Sequence, residues 1–116
     1  MAVFDPHLLD IETVTTFVEM GNDIISGLVE LYVANSTKEI QSLSQNAAAG
    51  QMDEIKKTAH SLKGASLNTG ARAMGMLCLQ IEKTIQNNDL EAARILITLL
   101  PELLEKTRLA FLQTYQ

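Results

Sequence analysis

The sequence predicts an all-α fold, an antiparallel up-down-up-down four-helix bundle with an additional short N-terminal helix. Three observations predict it. Hydrophobic residues make up 47% of the chain but aromatic residues only 4%, a palette of Leu, Ile, Ala and Met that suits packed helices better than a sheet. Apolar residues recur three and four apart in each long segment. The breaks between segments are short, which makes consecutive helices antiparallel neighbours. At 116 residues the chain is long enough for one core, and 1–116 is read as a single domain.

The first amphipathic segment runs from Asp10 to Met20, with Ile11, Val14, Phe17 and Val18 at helical spacing. Gly21 ends it and Asn22 suits the N-cap of the next helix. The second helix, Asp23 to Ala49, carries an inward stripe of Ile25, Val29, Tyr32, Ser36, Ile40, Leu43 and Ala47 and stops at Gly50. A second stripe, Ile24, Leu28 and Leu31, widens its apolar arc. The short first helix is expected to cover that stripe, the alternative being a docking surface. The third helix, Met52 to Leu67, buries Met52, Ile55, Ala59, Leu62 and Ser66, and Asn68, Thr69 and Gly70 break it. A fourth begins near Ala71 with Met74, Leu77, Cys78, Ile81 and Ile85 inward. Asp89 caps a fifth segment that starts at Leu90 and runs towards the C-terminus. Pro101 interrupts it, and a kink or two abutting helices are expected there.

Several function classes are disfavoured. A net charge of -5 argues against nucleic acid, which requires a basic footprint. No stretch is long and apolar enough to span a bilayer, and neither a signal peptide nor a lipidation pattern is recognisable. A soluble, cytoplasmic protein is expected. The single cysteine, Cys78, rules out an internal disulfide and is read as a core residue. Two histidines without ligand spacing give no metal site, and no glycine loop cradles a phosphate, so neither a cofactor nor ATP binding is expected.

The chemistry centres on Ala59-His60-Ser61-Leu62-Lys63-Gly64. Residues three and four apart share a patch of helix surface, so Lys56, Lys57, Lys63 and Gly64 all border His60. The window from Ile55 to Ile81 contains no Asp or Glu, and a locally positive site is expected in an acidic molecule. His60 sits about 130° from the centre of the buried stripe and should face water. An exposed imidazole offers a nitrogen lone pair near neutral pH and can attack phosphorus. Lys63 is a candidate phosphate ligand. Gly64 carries a helix penalty of about 1 kcal/mol relative to alanine, and its outward position suggests clearance for a phosphoryl group or a partner's loop. Glu82 is either a surface carboxylate paired with Lys83 or Lys57, or it reaches the third helix and bonds the other imidazole nitrogen, fixing the tautomer. His7 is read as an ordinary surface side chain.

These residues, continued by Asn68, Gly70, Ala71, Cys78 and Ile81-Glu82, resemble the histidine-containing phosphotransfer (HPt) domains of multistep two-component relays. Asp5-Pro6 and the Gly21-Asn22 break are similar to the family's N-terminal region. The resemblance implies that His60 is the phosphoacceptor, that Lys63 assists with the phosphoryl group and that Gly64 gives clearance. Glu82 occupies a position that in some members is a glutamine bonding the histidine. It further implies a phosphocarrier rather than an enzyme, with no kinase activity of its own. Its partners would be response-regulator receiver domains, which hold the required Mg²⁺, and a hybrid sensor histidine kinase. A monomer is expected, docking through apolar residues of the first two helices such as Val14, Met20, Ile24 and Leu28. A helical adaptor or inhibitor that binds a receiver or kinase without carrying phosphate is the competing reading.

Overall fold

The computed structural model describes residues 4–115, which contain six α-helices and no strand. They are α1 Ile11–Val18, α2 Asn22–Ala48, α3 Met52–Thr69, α4 Arg72–Gln86, α5 Leu90–Thr98 and α6 Leu100–Thr114. The body measures 44 × 21 × 19 Å, and α2, with 27 residues, spans about 40 Å of its long axis at 1.5 Å per residue. Helix α3 packs between α2 and α4, while α5 and α6 close the other side against the same two helices.

The core is what the periodicity predicts along α2, where all seven inward residues from Ile25 to Ala47 are buried. Opposite them lie Ile55, Ala59 and Leu62 of α3, Met74, Cys78 and Ile81 of α4, and Leu100, Leu104 and Phe111 of α6. Two polar residues of the α2 and α3 stripes meet inside: the Tyr32 hydroxyl and Ser66 Oγ share a 2.6 Å hydrogen bond. Such a pair satisfies groups whose isolated burial would be unfavourable. Burial pushes the Tyr32 hydroxyl up to about 12.

Pro101 produces two abutting helices rather than a kink. Helix α5 closes at Thr98, Leu99 caps both helices, and Pro101 falls in the first turn of α6, where its missing N–H would have had no helical partner. Asp89 caps α5 as expected, accepting from the Ala92 N–H at 3.1 Å. The α5 side chain of Arg94 returns to α2, donating from Nε to the carbonyl of Ala47 at 3.0 Å, which also accepts from the Gly50 N–H at 3.2 Å in the last turn of that helix.

The N-terminal region departs from the sequence reading. Helix α1 has only 8 residues, and within it Ile11 and Val18 are exposed while Val14 is buried. An element this short does not persist on propensity alone. Asp10 caps it through Thr13, and two long-range bonds hold its leading strand of chain: Asp10 N–H to Gly70 O at 2.8 Å and Ala73 N–H to Leu8 O at 3.2 Å. Gly70 ends α3 at φ 91°, and a Cβ there would stand 3.3 Å from Thr13, so the turn requires glycine for both conformation and clearance. Helix α2 begins at Asn22 with Gly21 in the cap position. The expected cap is therefore inside the helix, and its side chain lies outside the described residues. Helix α1 also leaves the second stripe of α2 largely open: Ile24 is 50% and Leu31 59% exposed. Eight residues cannot cover an arc that wide.

Candidate functional site

His60 stands on the outer side of α3, with 71% of its side chain exposed. The buried stripe of that helix, Ile55, Ala59, Leu62 and Ser66, fixes this orientation, since His60 follows Ala59 by 100° of rotation. Across the seam with α4, Glu82 follows the buried Ile81 and leans towards α3. Its carboxylate meets two side chains at once. Oε2 lies 3.3 Å from His60 Nδ1, and Oε1 lies 2.8 Å from Lys63 Nζ. The second contact pairs the charges at short range without the alignment of a hydrogen bond, and Oε1 is otherwise sealed from solvent.

Of the two openings for Glu82, the structure takes the one that reaches α3; its cation is Lys63, neither Lys83 nor Lys57. With Nδ1 turned inward, the opposite ring nitrogen, Nε2, faces out. In the tautomer that carries a proton on Nδ1, this N–H donates to Glu82 and Nε2 keeps the lone pair. Lys63 and Glu82 are recessed, at 20% and 17% exposure, below a protruding imidazole.

Gly64 shares this face, and an added Cβ would meet nothing within 4 Å. The glycine is not there for close helix packing. A bulkier side chain would stand beside the ring, one turn along.

The basic patch expected from the sequence is not what the fold assembles. Lys57 pairs with Glu54 at 3.7 Å and Lys63 with Glu82. On the other flank, Ser61 donates to Glu39 Oε1 at 3.3 Å. The window free of Asp and Glu is thus answered in space by carboxylates from α2 and α4. Burial raises the Glu39 carboxyl above its ordinary range, and its Oε2 is enclosed without a partner. The Ser61–Glu39 contact joins residues 22 apart in sequence, and no periodicity signals it.

Exposed apolar side chains lie further along α3 and α2. Leu67, 46% exposed, lies two turns along α3 from His60, about 10 Å away and within roughly 20° of it around the helix. Glu39 marks the α3-facing flank of α2; by helical rotation Leu28 lies about 20° from it, Ile24 about 60° and Leu31 about 80°. Of the four residues expected for docking, Met20 and Ile24 are exposed and Leu28 partly so, whereas Val14 is 3% exposed and serves the core. Leu31 and Leu67 are further exposed apolar side chains of α2 and α3.

An all-helical domain presenting one solvent-facing imidazole, with its inner nitrogen against a carboxylate, has the form of a histidine phosphotransfer module. The chain belongs to the Hpt domain family, whose model matches residues 27–110, and so to the proteins of two-component phosphorelays. It is similar to the crystal structure of histidine-containing phosphotransfer protein B (HptB) from Pseudomonas aeruginosa PAO1, with 29% identity and a TM-score of 0.83, covering 93% of this chain and 94% of that one. An X-ray structure of a rice protein described as a histidine-containing phosphotransfer protein shares the fold, with 18% identity and a TM-score of 0.84 over 96% of this chain and 83% of that one. No curated protein sequence matches the chain. Among the described residues no helix is long and apolar enough to cross a membrane.

Proposed function

We propose that the chain is a phosphocarrier in which His60 Nε2 takes a phosphoryl group from the phospho-aspartate of one receiver domain and passes it to another. The observation that carries this reading is the exposed imidazole, with Nδ1 facing Glu82 and open space beside it at Gly64. Glu82 sets the reactive tautomer, Lys63 neutralises charge on the phosphoryl group and Gly64 lets the receiver's loop approach. The receiver supplies the Mg²⁺, and the carrier needs no cofactor, ATP site or kinase activity of its own. A hybrid sensor histidine kinase stands upstream, and Leu67, Leu31, Ile24 and Met20 form the apolar part of the receiver-docking surface.

The whole chain acts as one domain, monomeric and cytoplasmic, with α2, α3, α4 and the α5–α6 pair as the four members of an up-down-up-down bundle. The short connections and the neighbour relations of the helices support that arrangement.

Mixing the protein with phosphorylated receiver domains and Mg²⁺ should produce an acid-labile phosphoryl adduct by intact mass, lost in His60→Gln. No adduct with several receivers, or one that survives His60→Gln, refutes the carrier. Stable binding to a receiver with no adduct is the result that the non-carrying adaptor requires.

A further inference from the structure

Glu82 is one carboxylate facing two donors, and phosphorylation modifies only one of them covalently. Given His60 as the phosphoacceptor, attack by the Nδ1–H tautomer forms the Nε2–P bond while the bond from phosphorus to its previous carrier breaks. No proton needs to move. The ring gains a positive charge with its proton still on Nδ1, and the phosphoryl oxygens bring about two negative charges to a point one helical turn from Lys63. In the resting protein the Lys63 ammonium neutralises Glu82 at 2.8 Å. Its four-carbon stem is long enough to turn outward to those oxygens.

We infer that loading makes Lys63 change partners, leaving Glu82 for the phosphoryl group, and that Glu82, no longer neutralised, then holds the proton on Nδ1 of the loaded ring. The ring therefore remains an imidazolium for as long as it carries phosphate. In onward transfer the N–P bond breaks with its electron pair returning to Nε2, and the departing group is a neutral imidazole rather than an imidazolate. Glu82 is thus a positioning residue whose charge, beyond its hydrogen bond, determines how readily the phosphoryl group leaves. A glutamine would accept the same hydrogen bond but hold no proton by charge.

The other ionisable groups around this point do not duplicate Glu82. On α3, Lys57 is engaged with Glu54 and Lys56 is exposed. On α4, Lys83 is exposed, while burial pushes the Cys78 thiol up to about 12 and keeps it neutral. From α2, Glu39 faces Ser61 rather than the imidazole.

Two measurements test the exchange. In the unphosphorylated protein, nitrogen NMR of the His60 imidazole should find the ring proton on Nδ1 in wild type and in Lys63→Gln, and that preference weakened in Glu82→Ala, which removes the acceptor. The same tautomer populations in all three proteins overturn the role of Glu82. For the loaded protein, phosphoramidate serves as a partner-free donor, its P–N bond breaking with ammonia as the leaving group. Hydrolysis of the adduct is then followed by intact mass between about pH 5 and 9. At the alkaline end the Glu82→Gln adduct should persist on the order of tenfold longer than wild type, because a neutral acceptor does not hold the ring proton by charge. Superimposable pH profiles, or an equal displacement by Glu39→Gln, overturn the role of Glu82. Failure of His60 as phosphoacceptor has a different signature: no adduct, or one retained in His60→Gln, with the NMR arm still readable.

Discussion

The outer face of α3 at Gly64 and the α3–α4 seam at Gly75 each hold a glycine within a helix, in opposite surroundings. At Gly75 a Cβ would fall 2.5 Å from Leu67 Cδ2 and 2.8 Å from Leu67 Cγ. There the missing side chain is occupied by a neighbour's. At Gly64 nothing lies within 4 Å, so no neighbour within the described residues requires the glycine. The same residue type marks internal packing in one place and open space in the other. Only the surroundings distinguish them.

Substitutions along this contrast have graded effects. The largest is expected on the sealed side. Leu62→Ala removes a fully buried side chain and should lower unfolding free energy by about 3 kcal/mol in denaturant titrations, within the usual range for such cavities. On the open side, Gly64→Gln should slow phosphotransfer from a receiver about 100-fold, the scale of a misplaced reactant, with an unfolding midpoint no lower than wild type. A protein that loses stability instead of transfer rate would place Gly64 with Gly75. Gly75→Ala comes next, at roughly 1 kcal/mol of destabilisation, because the gain in helix propensity is outweighed by displacing Leu67. Adding Leu67→Ala should recover most of that loss, and a double-mutant cycle reads the coupling directly.

The smallest effect at working pH is electrostatic. Burial raises the Cys78 thiol from 9.0 to about 12 and the Tyr32 hydroxyl from 10.0 to about 12, so both stay neutral in the folded protein after their unfolded counterparts ionise. Their contribution to stability is complete below about pH 9 and declines from there to about pH 12. Cys78→Ala should remove the part of that decline that begins below pH 10, as measured by thermal melts across the alkaline range.

The fold was legible wherever one helix face meets one core. The stripe of α2 from Ile25 to Ala47 and that of α3 from Ile55 to Ser66 are buried as their spacing predicts. It was less legible at α1, where Ile11 and Val18 repeat at helical intervals yet remain exposed, because periodicity does not reveal that a helix will be too short to use both. At the site, the outward angle of His60 follows from rotation along α3. The reach of Glu82 to His60 and Lys63, and of Glu39 to Ser61, does not. Those contacts join residues 19 to 22 positions apart across two seams, and one of them sets a carboxylate against Lys63. Gly75 was passed over for the same reason: its partner lies on another helix.

The two backbone bonds that join the segment before α1 to the α3–α4 turn also bear on how the molecule breathes. The Asp10 and Ala73 amides are each held by the other segment's carbonyl, so neither exchanges its hydrogen with solvent unless the two part. Arm and turn thereby form one opening unit, although the arm lies outside the span matched by the family. Hydrogen exchange at Ala73, in the first turn of α4, therefore reports whether the arm is seated.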